Sequence, residues 1–315
     1  MNRSTLSIAG VACAIAVAAL AVGGKALAED KGEGGGPKEI IFHPPNPHQG
    51  GAPTAGSAGQ LNPKISYRGG PVMGTPHIYF IWYGNWGQAA SDTPAGQQLI
   101  RDFIHGLSGS PYFIINTSYG GVSGSLTANG ETSVGYTFGN SLTDGNILSI
   151  VQNAITPLGG TPDPSGIYLV LTSSDVTASS GFCTNYCGWH THASVKGTDV
   201  KYAFIGNANR CLNACAAQTI SPNGNAGVDG MISVIAHEVE EATTDPDLNA
   251  WYDSKGAENA DKCAWTFGSN QSKLPSGAYY NMSLKSIAGP DLNFLVQRNL
   301  DVASKCYVDY VKKSQ

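Results

Sequence analysis

Apolar residues follow two rhythms along this chain. From Ile78 to Tyr83 they run without a break (IYFIWY), the pattern of a strand buried on both faces. Leu99, Phe103 and Leu107 then recur every fourth residue, with Ile100 and Ile104 beside them, behind a Ser91-Asp92-Thr93-Pro94 start. This predicts an amphipathic helix that ends near Gly109. Residues 122–138 read as a hairpin turning at Asn129-Gly130. A second helix is predicted over 143–156, with Ile147, Ile150, Val151 and Ile155 on one face. Ile167 to Thr172 and Val200 to Ile205 are further strand-like runs, and a long helix follows over 227–243. The C-terminal stretch is irregular, and no internal repeat is present. The order predicts one mixed α/β domain with a central sheet.

The ends of the chain set its compartment. Arg3 precedes an Ala-rich apolar run over 6–22, and Ala26-Leu27-Ala28 closes it as a cleavage-site pattern. Residues 1–28 are therefore expected to be a secretory signal. Residues 29–63 are rich in Gly, Pro and Ala and are expected to form a linker, because they bury too little apolar surface to offset ordering. His43 and His48 fall in it and are expected to be solvated. The folded domain is then 64–315. Taking Arg3 and Lys25 from the 18 basic side chains leaves 16 against 23 acidic ones, a net charge of −7. That charge argues against nucleic acid or an anionic membrane as partner. The protein is expected to be secreted, extracellular or periplasmic, with its oligomeric state open.

Export also interprets the cysteines. Without Cys13 six remain, in two Cys-x3-Cys motifs (Cys183/Cys187 and Cys211/Cys215) plus Cys263 and Cys306. An even number in an exported chain predicts three disulfides, in preference to a cysteine metal site. The expected pairing is local within each motif, with Cys263 joined to Cys306.

The long helix carries the candidate chemistry. Residues 236–246 read AHEVEEATTDP. On a helix His237 and Glu241 lie about 40° apart, and Glu238 lies about 100° round from His237. Val228, Met231, Ile232, Ile235, Val239 and Ala242 occupy the neighbouring arc and are expected to face the core, and Glu240 to face solvent. A His and a carboxylate four residues apart can hold one Zn²⁺, and the Glu after the His can act as general base on a bound water. Asp253 is a further carboxylate within reach of such a site.

This helix resembles that of the thermolysin-like metallopeptidases, HExxH followed by Ala-x-Thr-Asp, through His237, Glu238, Ala242, Thr244 and Asp245; Glu241 stands where the second His falls. The resemblance implies a zincin-like domain with a third ligand at Glu258, in Gly256-Ala257-Glu258. Asp245 or Asp261 would orient His237. A second resemblance covers roughly residues 64–310. YRGGPVMG, IWYGNW, SPYF, GFCTNYCGWH, the Cys211/Cys215 pair and NGNAGVDGM resemble the EXORDIUM, or phosphate-induced protein, family of exported plant-wall proteins. Plant members lack the His-Glu pair, so a microbial-type relative is implied. His190 falls on the family's motif His and is the expected oxyanion-stabilising residue, in preference to His192. Two functions follow as expectations. The first is a zinc peptidase, acting on a peptide or protein, with His237, Glu241 and Glu258 as ligands and Glu238 and His190 catalytic. The other is a non-catalytic wall protein with a structural metal or none.

Overall fold

The structure, a computed structural model, describes residues 62–87 and 92–311. The expected signal, almost all of the expected linker with His43 and His48, and Ser91 lie outside the described residues. Near the start of the described residues the Pro63 carbonyl accepts from Lys262 Nζ at 2.9 Å, and Ile65 is buried.

Five strands form the central sheet: β1 (His77–Tyr83), β2 (Thr127–Val134), β3 (Gly166–Thr172), β4 (Gly188–Val195) and β5 (Thr198–Ile205). Their spatial order is β2-β1-β3-β5-β4. The first four in that order run parallel, and β4 joins β5 antiparallel. β3 lies in the middle and is buried at every residue, as its unbroken apolar run requires. β4 had no counterpart in the apolar pattern. It turns into β5 through Lys196-Gly197, both at positive φ (50° and 81°), which brings Val195 opposite Thr198.

The expected hairpin is not formed. Residues 127–134 are one strand parallel to β1, and Asn129-Gly130 lies inside it. Ile78 faces Ala128 while Tyr79 faces Gly130, so the register slips at this pair and it forms a bulge instead of a turn. Pairing with β1 outweighs the local turn preference.

The helices are α1 (Pro94–Leu107), α2 (Asp144–Ala154) and α3 (Ala226–Thr244). Thr93 caps α1 by accepting from Gly96 N, with Pro94 in the first turn. Thr143 and Asn146 form a reciprocal capping box on α2. α3 packs against both β4 and α1. It is buried on all sides, not on one face. Glu240, expected in solvent, is fully buried. The irregular C-terminal stretch covers it: Asn299 Nδ2 donates to its carboxylate, and Asn259 Nδ2 to its carbonyl.

Three disulfides are formed, with one part of the pairing changed. Cys263 joins Cys306, as expected, but the two motifs are bonded to each other, Cys183 to Cys211 and Cys187 to Cys215. Cys215 ends a single helical turn, Leu212–Cys215, that follows Cys211. Side chains one turn apart on a helix point the same way and cannot close a disulfide on each other. The two bonds instead clamp the segment leading into β4 onto the segment leading into α3.

Candidate metal centre

α3 sets His237 and Glu241 one turn apart, which brings Glu241 Oε1 to 2.9 Å from His237 Nε2. A third group comes from β4. Side chains alternate along a strand, so Gly188, His190 and His192 share one face. His190 Nε2 lies 3.4 Å from Glu258 Oε1 and 3.8 Å from Glu241 Oε2. Glu258 is presented by the loop after α3. Asp253 organises that loop: its Oδ1 accepts from the backbone of Lys255 and Ala257, and its Oδ2 pairs with Lys262 Nζ. Asp261 closes the circle. Its Oδ2 accepts from Glu258 N at 3.1 Å, its N donates to Glu241 Oε1 at 3.0 Å, and its Oδ1 lies 3.5 Å from His237 Nε2.

Glu238 points to the same region from the next position on α3, and Gly188 makes room for it. A Cβ on Gly188 would stand 3.1 Å from Glu238 Oε1, 3.0 Å from Phe204 O and 2.5 Å from Val234 Cγ1. Only glycine admits this approach of helix to strand.

Besides these contacts, many of the atoms that face the middle of the cluster are unsatisfied. Both ring nitrogens of His190 and of His237, both oxygens of Glu238, Glu241 Oε2 and Glu258 Oε2 are buried with no hydrogen-bond partner. Buried polar atoms are nearly always satisfied, so such a set in one place calls for a partner in the middle. Donors on neighbouring corners of a tetrahedral zinc site lie about 3.3 Å apart. The contacts of 2.9–3.8 Å between imidazole and carboxylate atoms bracket that spacing. The donor set of nitrogen and oxygen, with no thiolate, fits zinc and other divalent first-row cations.

The electrostatics point the same way. His190, His237, Glu238 and Glu241 are fully buried and Glu258 is 2% exposed. Burial, together with the neighbouring His237, pushes the His190 imidazole down to about 3, which keeps it neutral as a ligand must be. Burial pulls His237 down, but the Glu241 and Asp261 carboxylates beside it outweigh that and hold it well above its ordinary value. Burial and the other carboxylates push Glu238 and Glu258 well up, and Glu241 to about 7. Carboxylates this reluctant to ionise lack a compensating positive charge.

Of the residues expected at the site, the structure brings His237, Glu241, Glu258, Glu238 and His190 together. His190 stands among the potential ligands and not at their mouth. Asp261 approaches His237 itself, whereas Asp245 accepts from Asn249 N and Ala250 N at the end of α3. Asp253 is held by Lys262. His192 leaves the centre and pairs with Asp199 at 2.8 Å. Asp199 and Asp247 flank Lys201, whose Nζ already neutralises them at 2.7 and 3.0 Å. Of the two residues expected to orient His237, Asp261 is therefore the one beside it.

Compared with known proteins, the chain matches the phosphate-induced protein 1 conserved region over residues 65–280, which contains every member of the centre. It is 33% identical over 268 residues to Protein EXORDIUM-like 3 of Arabidopsis thaliana, covering 73% of this chain and 76% of that one. To Protein EXORDIUM-like 5 of the same plant it is 32% identical over 267 residues, covering 73% and 70%. To Protein PHOSPHATE-INDUCED 1 of Nicotiana tabacum it is 28% identical over 225 residues, covering 59% and 66%. None of these names denotes a peptidase. No solved structure matches the chain.

Proposed function

The chain belongs to the EXORDIUM, or phosphate-induced protein, family, and from that premise we propose that it is an exported, non-catalytic wall or matrix protein whose buried centre holds a structural divalent cation, zinc by its donor types. The observation that carries this reading is closure. His190, His237, Glu238 and Glu241 have no exposure to solvent. Structural zinc sites are closed by protein ligands, whereas catalytic ones keep a position open to water and substrate. A cation here ties β4, α3 and the loop carrying Glu258 and Asp261 into one unit.

The peptidase reading asks more of the same residues. Glu238 would have to reach a metal-bound water, and a peptide would have to reach both. Glu238 is instead packed against Gly188 beneath β4. In this reading the likeness to zincins is confined to the HExxE helix lying against a sheet strand. Residues 1–28 direct export, 29–63 act as a spacer, and the acidic surface keeps the domain from nucleic acids and anionic membranes. Among the described residues no helix is long and apolar enough to cross a membrane.

Metal analysis of the exported protein, thermal melting with and without a chelator, and a broad peptide library test the proposal together. The expected result is tightly held metal, a melting temperature lowered by roughly 8–16 °C on its removal, and no cleavage. Metal-dependent cleavage that disappears in Glu238→Gln would replace this reading with the hydrolase. Protein that holds no metal and ignores the chelator would remove the cation from it.

A further inference from the structure

We propose that the centre is dinuclear, with the Glu241 carboxylate bridging two divalent cations; this rests on the reading of the cluster as a metal site. Six side chains converge there: His190, His237, Glu238, Glu241, Glu258 and Asp261. Their donor atoms fall into two groups that share one residue. His190, Glu238 and Glu241 offer atoms within 4.8 Å of one another, and so do His237, Glu241 and Asp261. Glu241 divides its oxygens between them: Oε1 is 2.9 Å from His237 Nε2, and Oε2 is 3.8 Å from His190 Nε2. Glu258 Oε1, 3.4 Å from His190 Nε2, adds to the first group.

Charge gives the second argument. Four carboxylates bring four negative charges into a region where the most exposed member, Asp261, has a side chain only 14% exposed. An imidazole that ligates a cation is neutral and offsets none of it. The buried lysines nearby are already paired, Lys262 with Asp253 and Lys201 with Asp199 and Asp247. One divalent cation leaves two of the four carboxylate charges uncompensated in the core. Two divalent cations balance the four carboxylates.

The donor inventory agrees. Four carboxylates and two histidines are the composition that carboxylate-bridged di-iron and di-manganese centres use. Without a thiolate, the set suits Mn²⁺, Fe²⁺ or Zn²⁺. Two-metal sites space their ions by about 3.5–4 Å, a distance one carboxylate spans.

The test is to strip the full-length exported protein of metal and titrate it with Mn²⁺ alone, counting bound ions by mass spectrometry and recording low-temperature electron paramagnetic resonance. The expected plateau is two ions per chain, with the broadened spectrum of an exchange-coupled pair. His190→Ala and His237→Ala should each halve the plateau and restore the sharp six-line spectrum of an isolated ion. Should those variants fail to fold, the plateau and spectrum of the unaltered protein decide alone. A plateau at one ion with a six-line spectrum overturns the pair and leaves a single structural metal. No binding at all overturns both.

Discussion

Replacing Gly188 by alanine adds one methyl group at the seam between β4 and α3. The new Cβ meets Phe204 O at 3.0 Å, Glu238 Oε1 at 3.1 Å and Val234 Cγ1 at 2.5 Å. Phe204 O is backbone, one pair in from the end of the β4–β5 ladder, and its strand is held on the other side by β3, so it yields little. Relief must come from α3. Val234 has to retreat by about 0.9 Å to regain the 3.4 Å of ordinary contact, and it carries the helix with it. Overpacking of this kind costs about 1–3 kcal/mol, which for a domain of this size lowers the melting temperature by roughly 2–12 °C. The same displacement draws His237 and Glu241 away from His190. Metal affinity should therefore fall at least tenfold, worth about 1.4 kcal/mol. Competition against a chromophoric chelator, beside a thermal melt, measures both. Gly135→Ala is the control, since a Cβ there meets nothing within 4 Å. If Gly188→Ala melts with the parent and holds its metal as tightly, the claim that this glycine sets the spacing of the centre is refuted.

Glu240→Ala removes the nearer acceptor of the buried Asn299 amide and leaves it only Asn116 Oδ1 at 3.4 Å, which should cost about 1–3 kcal/mol in urea unfolding. Burial holds the Glu240 carboxyl well above its ordinary value, and Glu240→Gln, which keeps a side-chain oxygen to accept from Asn299, should cost far less. The two clamped disulfides close nearly the same loop, each spanning 28 residues. Removing one should cost about 2–3 kcal/mol, because the other still closes that loop; removing both should cost about 6 kcal/mol, more than twice as much.

The helices and the buried strands β1, β3 and β5 were legible because each depends on a local pattern. The periodicity of Leu99, Phe103 and Leu107 fixes a helix whatever it packs against, and IYFIWY can only be a buried strand or helix core. What escaped is what long-range contact decides. Asn129-Gly130 has the chemistry of a turn, but β1 captures its strand. Glu240 lies opposite the apolar arc of α3, and nothing in that arc reveals that residues 259 and 299 close over it. β4 carries His190 and His192 at alternate positions, one in the buried polar cluster and one paired with Asp199, so the apolar run that would announce a strand is absent. The centre itself was half legible. Spacing on one helix finds His237 and Glu241, and the resemblance of the helix to that of the thermolysin-like peptidases adds Glu258. His190 reaches them from β4, and only the family resemblance, not helical spacing, singled it out.

The cluster's acid–base behaviour and its cation should pull in opposite directions. In the cation-free chain, burial and mutual repulsion raise Glu238 and Glu258 well above their unfolded values and Glu241 to about 7. A group with a raised folded pKa contributes its full stability below its unfolded pKa, here 4.5 for each Glu, and loses it as pH rises through the folded value. His237, also raised, acts in the same sense. His190, lowered to about 3, opposes them: its contribution is present above 6.5 and is lost as pH falls. Three carboxyls and one imidazole outweigh a single imidazole, so the cation-free protein should lose stability between about pH 5 and pH 8. A cation requires the same carboxylates ionised and the imidazoles neutral, so its affinity rises over that interval. The melting-temperature gap between metal-loaded and chelated protein should therefore widen from pH 5 to pH 8. Melts at three pH values in each state measure it. A gap that stays constant or narrows would mean that these carboxylates do not hold the cation.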